Sequence, residues 1–257
     1  MIFTDTHTHL YLEEFDEDRD EVIQRAITNN IQYMLFPNID SSSINRLNNL
    51  CEAYPDNCFP MMGLHPTSVK ENYLEEIEII KNQLSLKKYY AIGEIGIDLY
   101  WDKTFRTQQE DAFRKQISLA IEMNLPIVIH ARDSFEEIFT IVDEMNCDNL
   151  KGVFHCFTGT KQQAKHIINY GGFKLGIGGV LTFKNSTLRD EISDIDLKHI
   201  ILETDSPYLT PTPFRGKRNE SSYIKNIATV LAEVKNVSIE TIAETTTNNA
   251  IDLFKFK

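Results

Sequence analysis

Eight short apolar runs alternate with stretches of helical periodicity along the 257 residues, and this rhythm constrains the fold more than any other feature. The runs fall at 1–3, 33–36, 59–63, 90–96, 126–130, 152–155, 173–177 and 199–203. Between them, apolar residues recur at helical spacing over 16–29, 41–54, 69–84, 105–123, 135–145, 161–170 and 188–195. Two further helices, over 222–234 and 239–248, finish the chain. Strands separated by crossover helices lie parallel. Eight such units in about 250 residues suit one (β/α)8 barrel, a single domain over 1–257. A doubly wound open sheet is the competing architecture, but no G-x-G-x-x-G follows the first run.

In a barrel of this kind the active site lies at the carboxyl ends of the strands. The ionisable residues follow that rule. His7 and His9 end the first run, His65 follows the third, and Glu94 sits near the end of the fourth. His130 and His155 end the fifth and sixth, and Asp205 follows the eighth. Alternation along a strand would point His7 and His9 the same way. Closure makes strands one and eight neighbours, and strands four, five and six are adjacent. The spacing therefore predicts two divalent ions, one on His7, His9 and Asp205, the other on His130 and His155. Glu94 bridges them, because a carboxylate has two oxygens to offer. Such ligands suit Mg2+, Mn2+ or Zn2+ without choosing among them. Paired ions favour in-line displacement at phosphorus, with Asp205 placed to take the proton of the attacking water.

Composition bears on partners and setting. A formal net charge of −12 argues against wrapping long duplex DNA by bulk charge. No apolar run is long enough to span a bilayer, and the first residues lack the pattern of a signal peptide. Four cysteines without C-x-x-C spacing read as free thiols in a reducing cytoplasm.

Motifs from end to end resemble the TatD family of metal-dependent deoxyribonucleases. They include Asp5-Thr6-His7-Thr8-His9-Leu10, Gly63-Leu64-His65-Pro66, Ile92-Gly93-Glu94-Ile95-Gly96-Ile97-Asp98 and Ile129-His130-Ala131-Arg132. Others are Phe154-His155-Cys156-Phe157-Thr158-Gly159, Gly178-Gly179-Val180-Leu181-Thr182-Phe183, Leu202-Glu203-Thr204-Asp205-Ser206-Pro207 and Arg215-Gly216-Lys217-Arg218-Asn219-Glu220. The resemblance implies a (β/α)8 fold and metal-dependent hydrolysis of DNA phosphodiesters. It implies His7, His9, Glu94, His130, His155 and Asp205 as metal ligands, and His65 as an active-site histidine outside the principal ligand set. Tyr11 and Ser221 stand where the family often has Asp and Pro.

Other residues carry expectations of their own. Arg215, Lys217 and Arg218 form a basic cluster on an acidic chain and are expected to meet phosphate. Arg132 is placed to clamp a phosphate or pair with a carboxylate. Tyr100 and Trp101 offer rings on which a base can stack. Asp5 shares strand parity with His7 and His9 and is expected to support a ligating imidazole; otherwise it is a buried carboxylate on backbone amides. Cys156 is expected in the core, and His166 and His199 in structural or surface roles. Single-stranded or end-accessible DNA, cleaved as by an exonuclease, is the expected substrate of a monomeric cytoplasmic protein. The alternative is hydrolysis of a small cyclic amide or lactone. Many such barrels bridge their metals with a carboxylated lysine where this chain has Glu94.

Overall fold

The computed structural model describes the whole chain, Met1–Lys257. Its eight strands are β1 (Phe3–Asp5), β2 (Ile31–Phe36), β3 (Cys58–Pro60), β4 (Ile92–Asp98), β5 (Ile127–Arg132), β6 (Gly152–Phe154), β7 (Phe173–Ile177) and β8 (Ile200–Leu202). The helices are α1 (Arg19–Thr28), α2 (Ile44–Ala53), α3 (Tyr73–Leu86), α4 (Arg106–Met123), α5 (Phe135–Met145), α6 (Lys161–Asn169), α7 (Leu188–Ile192), α8 (Ile224–Lys235) and α9 (Ile239–Phe254). All neighbouring strands are parallel, in the orders β1-β2-β3 and β4-β5-β6-β7-β8. A bridge from Met62 to Ile92 joins the two sheets on one side. On the other, Thr8 bridges Ser206 and the Thr6 amide donates to the Leu202 carbonyl at 3.0 Å. The sheet therefore closes into a (β/α)8 barrel.

The boundaries differ from expectation for physical reasons. The first strand begins at Phe3, because Met1 and Ile2 are exposed and contribute nothing to the core. β4 runs two residues further than expected, since Ile97 and Asp98 still pair with Ala131 and Arg132. Helix ends follow the usual chemistry. Thr160 and Gln163 form a reciprocal cap at the start of α6. Asn124 and Asn236 end α4 and α8 in the left-handed conformation that Asn tolerates.

Strand alternation divides the core in two. Outward side chains such as Met34, Phe36, Ile127 and Ile129 join a cluster of 56 buried residues beneath the helices. Inward ones, among them Leu35, Phe59, Val128, Val153 and Ile201, fill the barrel interior. Leu253, Phe254 and Phe256 pack against that interior set, and the Phe256 ring lies 4.9 Å from Phe59 and 5.1 Å from Tyr33. The end of the chain thus plugs the amino-terminal mouth. Phe254→Ala is expected to cost about 3–5 kcal/mol of stability through the void it leaves. Equilibrium urea unfolding reads this directly, and an unchanged midpoint would show that the plug carries no load.

Candidate active site

Above the apolar interior layer, the opposite mouth is lined with polar side chains. His7 and His9 lie just beyond β1, on a segment held between two neighbours. The Thr8 amide donates to Leu35 O at 3.1 Å, and the His9 amide to Ser206 O at 2.8 Å. Asp205 has φ of 57°, a left-handed conformation held where its amide donates to His7 O at 2.9 Å. Glu94 is the third residue of β4, deeper than the strand end expected for it. His130 lies on β5 and His155 directly follows β6. Gly96 lets β4 pass close to β5: at its φ of 140°, a Cβ would sit 2.1 Å from His130 O.

The six expected ligands converge, and the Glu94 carboxylate divides them. Its Oε2 lies 3.1 Å from His7 Nε2 and 3.7 Å from His9 Nε2. Asp205 Oδ1 lies 3.7 and 3.6 Å from the same two nitrogens, which are themselves 3.2 Å apart. The other oxygen, Oε1, is 2.8 Å from both His130 Nδ1 and His155 Nε2, and 3.3 Å from His65 Nε2. An ion bound at about 2.0–2.1 Å in a tetrahedron sets its donors roughly 3.3–3.4 Å apart. The first group brackets that spacing at 3.1–3.7 Å; the second is tighter, with Oε1 2.8 Å from each imidazole and the two imidazole nitrogens 3.5 Å apart, so those donors would draw apart by about half an ångström around an ion. Imidazole nitrogens with carboxylate oxygens are the donor chemistry of divalent metal.

The second nitrogen of each ring decides what the first can do. Tyr11 Oη donates its one proton to Pro37 O at 2.7 Å, so it accepts from His9 Nδ1 at 3.1 Å. A neutral His9 then turns the bare Nε2 lone pair to the centre. His130 Nε2 lies 2.9 Å from Asp98 Oδ2, which leaves Nδ1 as the bare nitrogen. His155 Nδ1 is 3.4 Å from Glu203 Oε1. The Asp98 carboxylate behind His130 fixes that ring's tautomer and raises its basicity; His155 Nδ1 and His7 Nδ1 are buried without a hydrogen-bond partner. His65 is the reverse case. The Thr67 amide donates to its Nδ1 at 3.2 Å, so a neutral ring carries its proton on Nε2, facing Glu94. In that tautomer His65 is a hydrogen-bond donor at the centre, and its Nε2 also lies within metal-holding distance of Glu94 and His130.

Burial would push the Glu94 carboxyl up, but the charges of His155, His65 and His7 and the bond from His130 hold it well below the usual range. Asp205 is likewise lowered against its burial, by His9 beside it and by the charges of His155 and His7. Burial and the charge of His155 lower His7, whereas Glu94 and Glu203 outweigh burial and raise His155. Asp5 behaves as the buried carboxylate, not as an imidazole's partner. It accepts from the Thr204 amide at 2.9 Å, the Thr204 hydroxyl at 2.6 Å and, weakly, the His7 amide at 3.4 Å. Burial pushes its carboxyl up to about 7.

A cavity of about 630 Å³ opens over the cluster, lined by His9, His65, Glu94, His130, His155 and Asp205 among others. Arg132 and Trp101 also line it, and the Arg132 guanidinium stacks 3.9 Å from the Tyr100 ring centroid and 5.2 Å from that of Trp101. The basic cluster after β8 stays outside. The Arg218 guanidinium is engaged by Asp18 at 2.6 Å and Glu14 O at 2.5 Å, over the Phe15 ring. Arg215 bonds Thr210 O at 2.9 Å over the Phe183 ring, and Lys217 is exposed near Phe214. Cys156, expected in the core, lines the cavity instead, because its backbone turns at φ of 46°. His166 and His199 lie away from the site, His166 paired with Asp143 at 2.9 Å.

Sequence reasoning missed Asp98, Glu203 and Tyr208. Asp98 shares the strand face of Glu94, a signal that alternation offered. Glu203 is fully buried, and a Cβ at Gly176 would come within 2.3 Å of its carboxylate. Tyr208, half exposed, lines the cavity near His9, with ring centroids 6.3 Å apart.

A closed parallel barrel with this histidine–carboxylate cluster at its carboxyl-terminal mouth defines a metal-dependent hydrolase. The sequence profile described as TatD related DNase matches residues 4–255, and the chain belongs to this family. It is 41% identical over 256 residues to the uncharacterized metal-dependent hydrolase YabD of Bacillus subtilis, covering 99% of each chain. The uncharacterized metal-dependent hydrolase YcfH of Escherichia coli is 30% identical over 258 residues, covering 99% of this chain and 96% of the relative. The crystal structure of YjjV, a TatD homologue from Escherichia coli, superposes with a TM-score of 0.92 at 29% identity, covering 98% of both chains. No helix is long and apolar enough to cross a membrane.

Proposed function

We propose that the protein hydrolyses DNA phosphodiester bonds, at single-stranded regions or ends, with two divalent ions. One observation carries the reading: the Glu94 carboxylate directs each oxygen to a separate donor set, beneath a cavity lined by a guanidinium and aromatic rings. His7, His9 and Asp205 would hold one ion, and His130 and His155 the other, with Glu94 shared. The ions, whether Mg2+, Mn2+ or Zn2+, would supply charge for the phosphoryl oxygens and lower the pKa of the attacking water.

The remaining work belongs to side chains. Asp205 is 14% exposed where Glu94 is 3%, so it is the acid that reaches the cavity and takes the proton of the attacking water. His65 presents a fixed Nε2–H to the reacting group. Arg132, braced by Tyr100, faces the cavity as the cation for a phosphate. Trp101 and Tyr208 offer flat surfaces to unpaired bases.

The test is incubation of the purified protein with end-labelled single-stranded DNA, with Mn2+, Mg2+ or Zn2+ and with excess EDTA. Cleavage is expected to vanish with EDTA and return when metal is restored in excess of the chelator. Turnover of lactones or dihydropyrimidines, with DNA intact under every metal, would replace this reading.

A further inference from the structure

We infer that a side cleft between the β3–α3 and β4–α4 loops is a nucleobase subsite, which receives the base next to the phosphate held at the metal-binding cluster. The inference rests on the phosphodiesterase reading and adds the place where the substrate's base is bound.

The cleft holds about 260 Å³ and is lined by Thr67, Lys70, Asp98, Trp101, Asp102, Phe105 and Gln109. It shares Thr67, Asp98 and Trp101 with the large cavity, so the two adjoin. That volume is below the usual size of a drug-sized ligand site and suits one ring system rather than a whole nucleotide. Its chemistry separates into a flat wall and a polar edge. Trp101 is 70% exposed, a cost in water that stacking a base would recover. Each ring has a cation near it, Lys70 at 5.1 Å from Phe105 and Arg132 at 5.2 Å from Trp101, but Phe105 is half-buried and Trp101 keeps the larger open surface for a base.

At the edge, Lys70 Nζ stands 3.8 Å from Asp102 Oδ2, with both side chains about half exposed. This pair sets a donor beside an acceptor. The Watson–Crick edge of every base does the same, so the pair can meet any base without strong preference. Gln109 is not available for recognition. Its amide is consumed by the Asp98 backbone, accepting from N at 2.9 Å and donating to O at 3.2 Å. A phosphate is the wrong occupant, because Asp98 and Asp102 outnumber the single lysine.

Trp101 is the only tryptophan in the chain, so its fluorescence reports on the wall this cleft shares with the large cavity, and the abasic strand is the control for binding over the cluster. The experiment uses the full, metal-loaded protein and two single-stranded oligonucleotides, one normal and one abasic at the nucleotide flanking the scissile phosphate. The normal strand is expected to quench Trp101, and the abasic one not to. Loss of one stacked base should raise KM about tenfold while kcat changes little. In Lys70→Gln and Asp102→Asn chains that abasic penalty is expected to shrink, because the edge contacts are already gone. Equal KM for both strands, without differential quenching, would overturn the subsite while leaving the phosphodiesterase reading intact. Failure to cleave either strand under any metal would remove that reading and the subsite with it.

Discussion

Glu94→Gln is expected to reduce hydrolysis by at least about 10³-fold while the barrel stays folded. Both Glu94 oxygens are committed, Oε2 towards His7 and His9 and Oε1 towards His130 and His155. A glutamine keeps the shape but offers one oxygen and one N–H2. Whichever way it turns, the amide nitrogen faces a donor set that needs an acceptor. It also removes the one negative charge shared by both groups. Metal content should therefore fall together with rate, read by elemental analysis after dialysis against buffered Mn2+. Circular dichroism should match the parent chain. A variant holding the same metal and turning over at a near-normal rate would show that Glu94 bridges nothing.

Asp205→Asn should separate those two effects. Asp205 contacts only the His7–His9 side of the cluster, at 3.6–3.7 Å, and is the carboxylate open to the cavity. Removing its charge is expected to weaken metal at that side and to leave the His130–His155 side filled. The loss of the proton acceptor should lower kcat by roughly 10²–10⁴-fold. Raising Mn2+ should recover the metal content without recovering the rate. Full recovery of rate at high Mn2+ would make Asp205 a ligand and nothing more.

The positions of these ligands were legible because a parallel barrel brings all its strand ends to one mouth. Residues far apart in sequence but alike in register had to meet. What supports them was harder to see. Tyr11 stood out only as a departure from Asp, and its role depends on a carbonyl at Pro37 that no spacing reveals. Asp98 was within reach, since it lies on the same strand face as Glu94. Glu203 was not, because its value comes from the backbone turn at Cys156 and the missing Cβ of Gly176. The setting of the basic cluster was hidden for a related reason. Composition counts charges, but only the fold shows that Arg218 is spent on Asp18 and the Glu14 carbonyl.

The aromatic floor made by Phe59, Phe254 and Phe256 has a consequence for traffic. Inward side chains fill the space between that floor and the histidine cluster, so the barrel is a packed column and not a tube. No polymer can thread it, and anything bound over the cluster arrives and departs on the one face where the cavity opens.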